Sequence, residues 1–200
     1  MGKKYGFTGE TKIVNGVVLR RIIRLNDKLV GGWIEKEENL SQKGICFVYG
    51  EAHVYGEAKI FENAIVSCNA RVYGNARIRG YAWIYDEAHI YNCARIHGKA
   101  EVYGNAEVHN NAKVYGKAEV CGNAVIRDNA VVYGNAWIYD NAEVFDNARV
   151  FGNARIRDNA RVYGNAKVYN KARIRDNAKV YGKAEVCGNA DVFDNTKVYK

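Results

Sequence analysis

The chain contains no proline, so no fixed kink or proline-marked stop interrupts it. Threonine occurs only at Thr8, Thr11 and Thr196, which sets aside a threonine-lined ice-binding plane. The five cysteines (Cys46, Cys68, Cys93, Cys121, Cys187) form no CxxC pair and no zinc spacing, and an odd number cannot all pair internally. Paired carboxylates, a nucleophile elbow and a phosphate loop are likewise missing. No apolar run is long enough to span a bilayer. Met1-Gly2-Lys3-Lys4-Tyr5 lacks the apolar stretch of a signal peptide. The expectation is a soluble, cytoplasmic protein with no metal, no cofactor and no membrane partner.

What is present is regularity. From Glu51 to Lys200 one six-residue unit recurs 25 times without insertion, as in Asn159-Ala160-Arg161-Val162-Tyr163-Gly164. Its second residue is Ala in 24 copies, Thr196 being the exception, and its fourth is Val or Ile in all 25. Two apart on an extended chain, these point to one side, while the third and fifth residues point to the other. The third is mostly charged, and the fifth is Tyr or Phe in 16 copies. The sixth is Gly, Asp or Asn in 22, residue types that tolerate positive φ and therefore sharp corners. Strand and corner alternate with no long connection, so the strands can only coil and stack in parallel, each unit burying its apolar side against its neighbours. Residues 51–200 form this repeat region. Residues 1–50 are too few to bury much core alone and read as a β-hairpin cap, with the turn at Asn15-Gly16.

The run Val162-Tyr163-Gly164-Asn165-Ala166 resembles the hexapeptide repeat of left-handed parallel β-helices. That resemblance implies three units per 18-residue coil and a triangular prism. The sequence supports the same period: Arg155-Ile156-Arg157-Asp158 recurs as Arg173-Ile174-Arg175-Asp176, and Asp86, Asp140, Asp158, Asp176 and Asp194 share one phase. The expected fold is all-β, a left-handed parallel β-helix of about eight 18-residue coils with a small N-terminal β cap. The Ala/Val interior leaves no room for a ligand, so function must lie on the outer faces, corners or ends. The leader segment Gly31-Gly32-Trp33-Ile34-Glu35-Lys36-Glu37-Glu38-Asn39-Leu40-Ser41-Gln42 resembles that of YdcK-like hexapeptide-repeat proteins, many carried by bacteriophages. The stretch between Leu25 and Gly31 is shorter than in that group. The resemblance implies a phage or prophage protein working in the cytoplasm of a bacterial host, and no particular activity.

The best-known left-handed β-helices are acyltransferases, which interrupt their coils with a loop and use a histidine as general base. Here no loop breaks the coils, and His53, His89, His97 and His109 all take outward positions, where no cleft would hold a substrate within reach. The expectation is a protein without catalytic residues, a degenerate acyltransferase being the remote alternative.

Sorted by 18-residue phase, one face carries Lys59, Arg77, Arg79, Arg95, His97, Lys113, Arg149 and Lys167 against a single acid, Glu185, with Phe61, Tyr115, Tyr133, Phe151 and Tyr169 among them. Such a strip could follow a phosphate backbone and stack exposed bases, or form ordinary side-chain ladders. Another face should place Arg155, Arg157, Arg173 and Arg175 on adjacent coils, beside Trp137 and Tyr139, with Asp158 and Asp176 at the corner. Those aspartates either neutralise the cluster or leave a phosphate or carboxylate pocket. The last unit shows no capping element, so Thr196, Val198 and Tyr199 are candidates for an end-to-end contact in a homodimer. Function is therefore expected as non-catalytic binding or scaffolding, presenting Tyr, Lys and Arg ladders to a host protein or other macromolecule. The alternative partner is nucleic acid or another polyanion, for which the net charge of +8 is permissive.

Overall fold

The structure is a computed structural model and describes residues 2–200. The repeats build a parallel β-solenoid of three sheets. Face I is a 12-stranded sheet, face II has eight strands and face III nine, visited in that order on every coil. Each repeat strand is mostly two residues long and pairs in parallel with the strand 18 residues on, as His53-Val54 with Arg71-Val72 and Arg155-Ile156 with Arg173-Ile174. Odd-position amides of one coil donate to the carbonyls of the next: His53 N–H to Ala70 at 2.9 Å, Tyr55 N–H to Val72 at 3.1 Å, Glu51 N–H to Cys68 at 2.9 Å. The repeated Ala and Val or Ile side chains are buried in a continuous core. Corners take positive φ at the sixth position, including Asp158 (57°) and Asn110 (58°).

The structure holds about nine coils, where the repeats alone count eight, because the leader winds one itself. Strand β1 (Tyr5–Val14) and strand β2 (Val17–Arg24) form the expected hairpin, turning at Asn15 (φ 51°) and Gly16 (φ 79°). Strand β2 lies antiparallel to β3 (Val30–Ile34), and β3 then runs parallel to His53-Val54. Leu40 bridges to Ile60 and Phe47-Val48 pairs with Ile65-Val66, which completes the turn through all three faces.

The leader motif has physical reasons. A Cβ on Gly31 would stand 2.7 Å from the Phe47 ring and the Val48 carbonyl; one on Gly32 would stand 2.7 Å from the Ala52 carbonyl. Only glycine lets this strand cross the end of the core. Asn39, fully buried, donates to the Gly56 and Ala58 carbonyls, both at 2.9 Å, and ties the first coil to the second. Tyr5 and Ile22 close the core from above, with the Tyr5 hydroxyl donating to the Leu40 carbonyl at 2.8 Å.

The hairpin also reaches over face I. Glu51 accepts from Arg21 (2.8 Å), Trp33 Nε1 (2.9 Å) and Lys12 (3.0 Å). Burial opposes its ionisation, but these three donors outweigh it and hold the carboxyl at about 2. His53 lies beneath this clasp with both ring nitrogens buried and without a hydrogen-bond partner. The expectation of a solvent-facing imidazole fails at this position. Burial first, then the charges of Lys12 and Arg71, depress its pKa to about 4.

Candidate anion-docking face

The basic residues of face II stand in two columns. In the first, Lys59, Arg77, Arg95 and Lys113 follow in register, then Val131, Arg149, Lys167 and Glu185. Parallel pairing fixes this order, because a residue and its partner 18 positions on must share one side of the sheet. Lys167 is neutralised by Glu185 at 2.8 Å, and Arg79 faces Glu62 at 3.7 Å. Among the described residues, no carboxylate pairs with Arg77, Arg95 or Lys113, and all three are exposed. Lys99 and Lys117 add charge at the corner toward face III, where the sixth position is glycine at Gly98 and Gly116.

The second column is aromatic and largely closed. His97 stacks on Tyr115 at 4.8 Å, Tyr115 on Tyr133 at 5.0 Å, Tyr133 on Phe151 at 4.9 Å and Phe151 on Tyr169 at 4.9 Å. The interplanar angles are 8° or less. Ring faces are spent on one another and only edges meet solvent, so a run of bases cannot stack along this column as the sequence allowed. The imidazole of His97 is shifted to lower pKa, first by burial and then by the nearby charges of Arg79 and Lys113.

Face III brings Arg155, Arg157, Arg173 and Arg175 onto adjacent coils, and there acids intervene. Arg175 reaches Asp191 at 3.1 Å and Asp176 at 3.2 Å; Arg157 reaches Asp158 at 3.4 Å. Arg155 lies over the Trp137 ring at 5.9 Å, and Trp137 packs on Tyr139 at 4.6 Å. Asp191 joins this cluster from the next coil. Stacking the sequence at period 18 would have found it directly beyond Arg173. The corner aspartates accept from the backbone: Asp176 N–H donates to Asp158, and Asp194 N–H to Asp176, both at 3.1 Å. No cluster of potential metal ligands occurs among the described residues.

At the other end of the rod, Thr196 is exposed and Val198 half-buried, and Tyr199 is 69% exposed with its ring stacked on Tyr181 at 5.3 Å. No helix among the described residues is long and apolar enough to cross a membrane.

Three parallel sheets wound by a hexad, with an interior of Ala, Val and Ile, define a β-solenoid repeat protein. Residues 70–86, about one coil that includes Arg77 and Arg79, match the family described as YdcK beta solenoid repeat. Over that segment the chain is similar to the YdcK repeat, and its architecture along the repeats is that of a β-solenoid. No curated protein matches it by sequence.

Proposed function

We propose that this protein is a non-catalytic docking rod that binds an anionic macromolecule along face II. The observation that carries this reading is the run Arg77, Arg95 and Lys113, three exposed cations on successive coils without a carboxylate partner among the described residues. Like charges one coil apart, about 5 Å, repel each other, and an anion lying across them relieves that repulsion. The closed ring column beside them offers tyrosine edges, and with them hydroxyl groups, to the same partner. A rigid column of charge fits recognition through position and counter-charge better than through an enclosed cavity.

The test is binding of a fluorescent linear polyanion, followed by anisotropy across a salt series. Wild-type protein should bind at low salt and release as salt rises, and Arg77→Glu/Arg95→Glu/Lys113→Glu should abolish binding. Running an acidic peptide beside single-stranded DNA identifies the class of macromolecule. Failure of every polyanion to bind at about 50 mM salt, where such contacts are strong, would sink the reading.

A further inference from the structure

Two arginines elsewhere on the rod occupy the place of a missing ring and fill it. On face I, Arg127 lays its guanidinium 4.0 Å from the centroid of Phe145, held by Asp128 at 2.8 Å. On face III, Arg175 lies 4.5 Å from the centroid of Phe193, held by Asp191 and Asp176. In both, a planar cation closes the ladder where an aromatic side chain is absent.

Arg79 on face II behaves differently. It sits in the column between Phe61 and His97, yet among the described residues it lies over neither ring, and its guanidinium is drawn toward Glu62 at 3.7 Å. The surroundings account for this. Arg77, Arg95 and Lys113 leave the region strongly positive, and the ring 18 residues on, the one that Arg127 and Arg175 cover in their columns, is here the imidazole of His97 rather than a phenyl group, so the cation gains less by stacking there. The ladder is left with a gap. Phe61 and His97 stand two coils apart, about 10 Å, and the far side of His97 is already covered by Tyr115 at 4.8 Å. The gap opens into a bay of about 450 Å³ lined by Phe61, Arg77, Arg79, Arg95, His97 and Lys113, a size within the range of small-molecule sites.

We propose that this bay binds a nucleotide, its nucleobase completing the ring column between Phe61 and His97 and its phosphates lying along Arg77, Arg95 and Lys113. A planar ring at the spacing of the column gains stacking on both sides. The arginines match phosphate oxygens in charge and fork geometry. The adjoining column is closed, so the slot accepts one base: a free nucleotide, or the unstacked terminal nucleotide of a chain. The proposal rests on the anion-docking reading of face II and adds the ring to it.

Titration calorimetry with ADP, pyrophosphate and adenosine separates the two halves of the ligand. ADP should bind at least about fivefold tighter than pyrophosphate, since stacking of a single base is worth about 1–3 kcal/mol. Arg79→Tyr fills the gap with a residue the fifth position commonly carries, and should bring ADP down to the level of pyrophosphate. Arg79→Gln removes the same charge without adding a ring and should keep the preference for ADP. Equal affinities for ADP and pyrophosphate in the wild type, or an Arg79→Tyr protein that still prefers ADP, overturn the slot and leave anion docking standing. Absence of binding by both pyrophosphate and the linear polyanion overturns both. A 5′-phosphorylated tetranucleotide distinguishes the source: tighter binding than ADP identifies a chain end, weaker binding a free nucleotide, and either supports the ring-and-phosphate site.

Discussion

Faces II and III each carry a stack of arginines, and the sequence marks both as candidate anion sites. Their surroundings separate them. On face III, Arg157 and Arg175 are matched by Asp158, Asp176 and Asp191; of the two arginines without a salt bridge among the described residues, Arg155 lies over the Trp137 ring and Arg173 stands in register beside Asp191. On face II, Arg77, Arg95 and Lys113 have no carboxylate partner among the described residues, and Glu62 is engaged with Arg79. Whether charge is available to a partner depends on the neighbours one coil away, and these differ because face III has aspartate at its corner where face II has glycine.

The largest effect that tests this contrast is charge reversal. Arg95→Glu together with Lys113→Glu should weaken polyanion binding more than about tenfold, losing two favourable charges and adding two repulsive ones. Arg157→Glu should leave it within about threefold; equal losses from both would break the comparison. Conversely, Asp158→Asn/Asp176→Asn/Asp191→Asn keeps side-chain acceptors for the backbone amides while removing three negative charges. That variant should give face III a second polyanion site of several-fold weaker affinity, read as a change in stoichiometry.

The pH dependence comes next. His97 in the free protein is shifted below its ordinary value by burial and by Arg79 and Lys113. A bound anion raises it again, so binding takes up a proton and affinity should rise as pH falls through the titration of this imidazole. His97→Asn should flatten this dependence, measured by anisotropy between pH 7.5 and 5.5. His53 supplies the control, because its effect is on stability. Its folded pKa of about 4 lies below the unfolded value of 6.5. The unfolded chain therefore binds the proton first, and stability is full above about 6.5 and declines as pH falls toward 4. The loss should reach about 2 kcal/mol, discounting the full shift for partial exposure. His53→Phe should remove it from urea melts. The smallest effect is on the ion pairs themselves: Asp191→Ala should cost only about 0.2–1 kcal/mol in the same melts, as exposed pairs do.

Much of this molecule was legible before its fold. The Ala and Val or Ile columns, the corners and the order of residues within each face follow from period and alternation, because every coil repeats the same covalent problem. The leader was half legible. Asn15-Gly16 announced the hairpin, but the extra coil carries no periodic signal because Trp33-Ile34, Leu40 and Phe47-Val48 reach the three faces without the hexad spacing. The aromatic columns were placed correctly, but their availability was not. A sequence puts Tyr115 beside Tyr133 without saying that their faces close on each other.

The sequence by itself determined the solenoid, its three faces and the candidates on each. A six-residue period with an invariant apolar pair admits one way of burying that pair. The tertiary structure alone decided which cations stay unpaired and where the ring ladder opens. Those outcomes depend on where long side chains turn among neighbours 16 to 18 residues away: Arg175 to Asp191, Arg127 over Phe145, and Arg79 away from both of its rings. Backbone periodicity places a side chain's root, and the balance of local charge and packing places its tip.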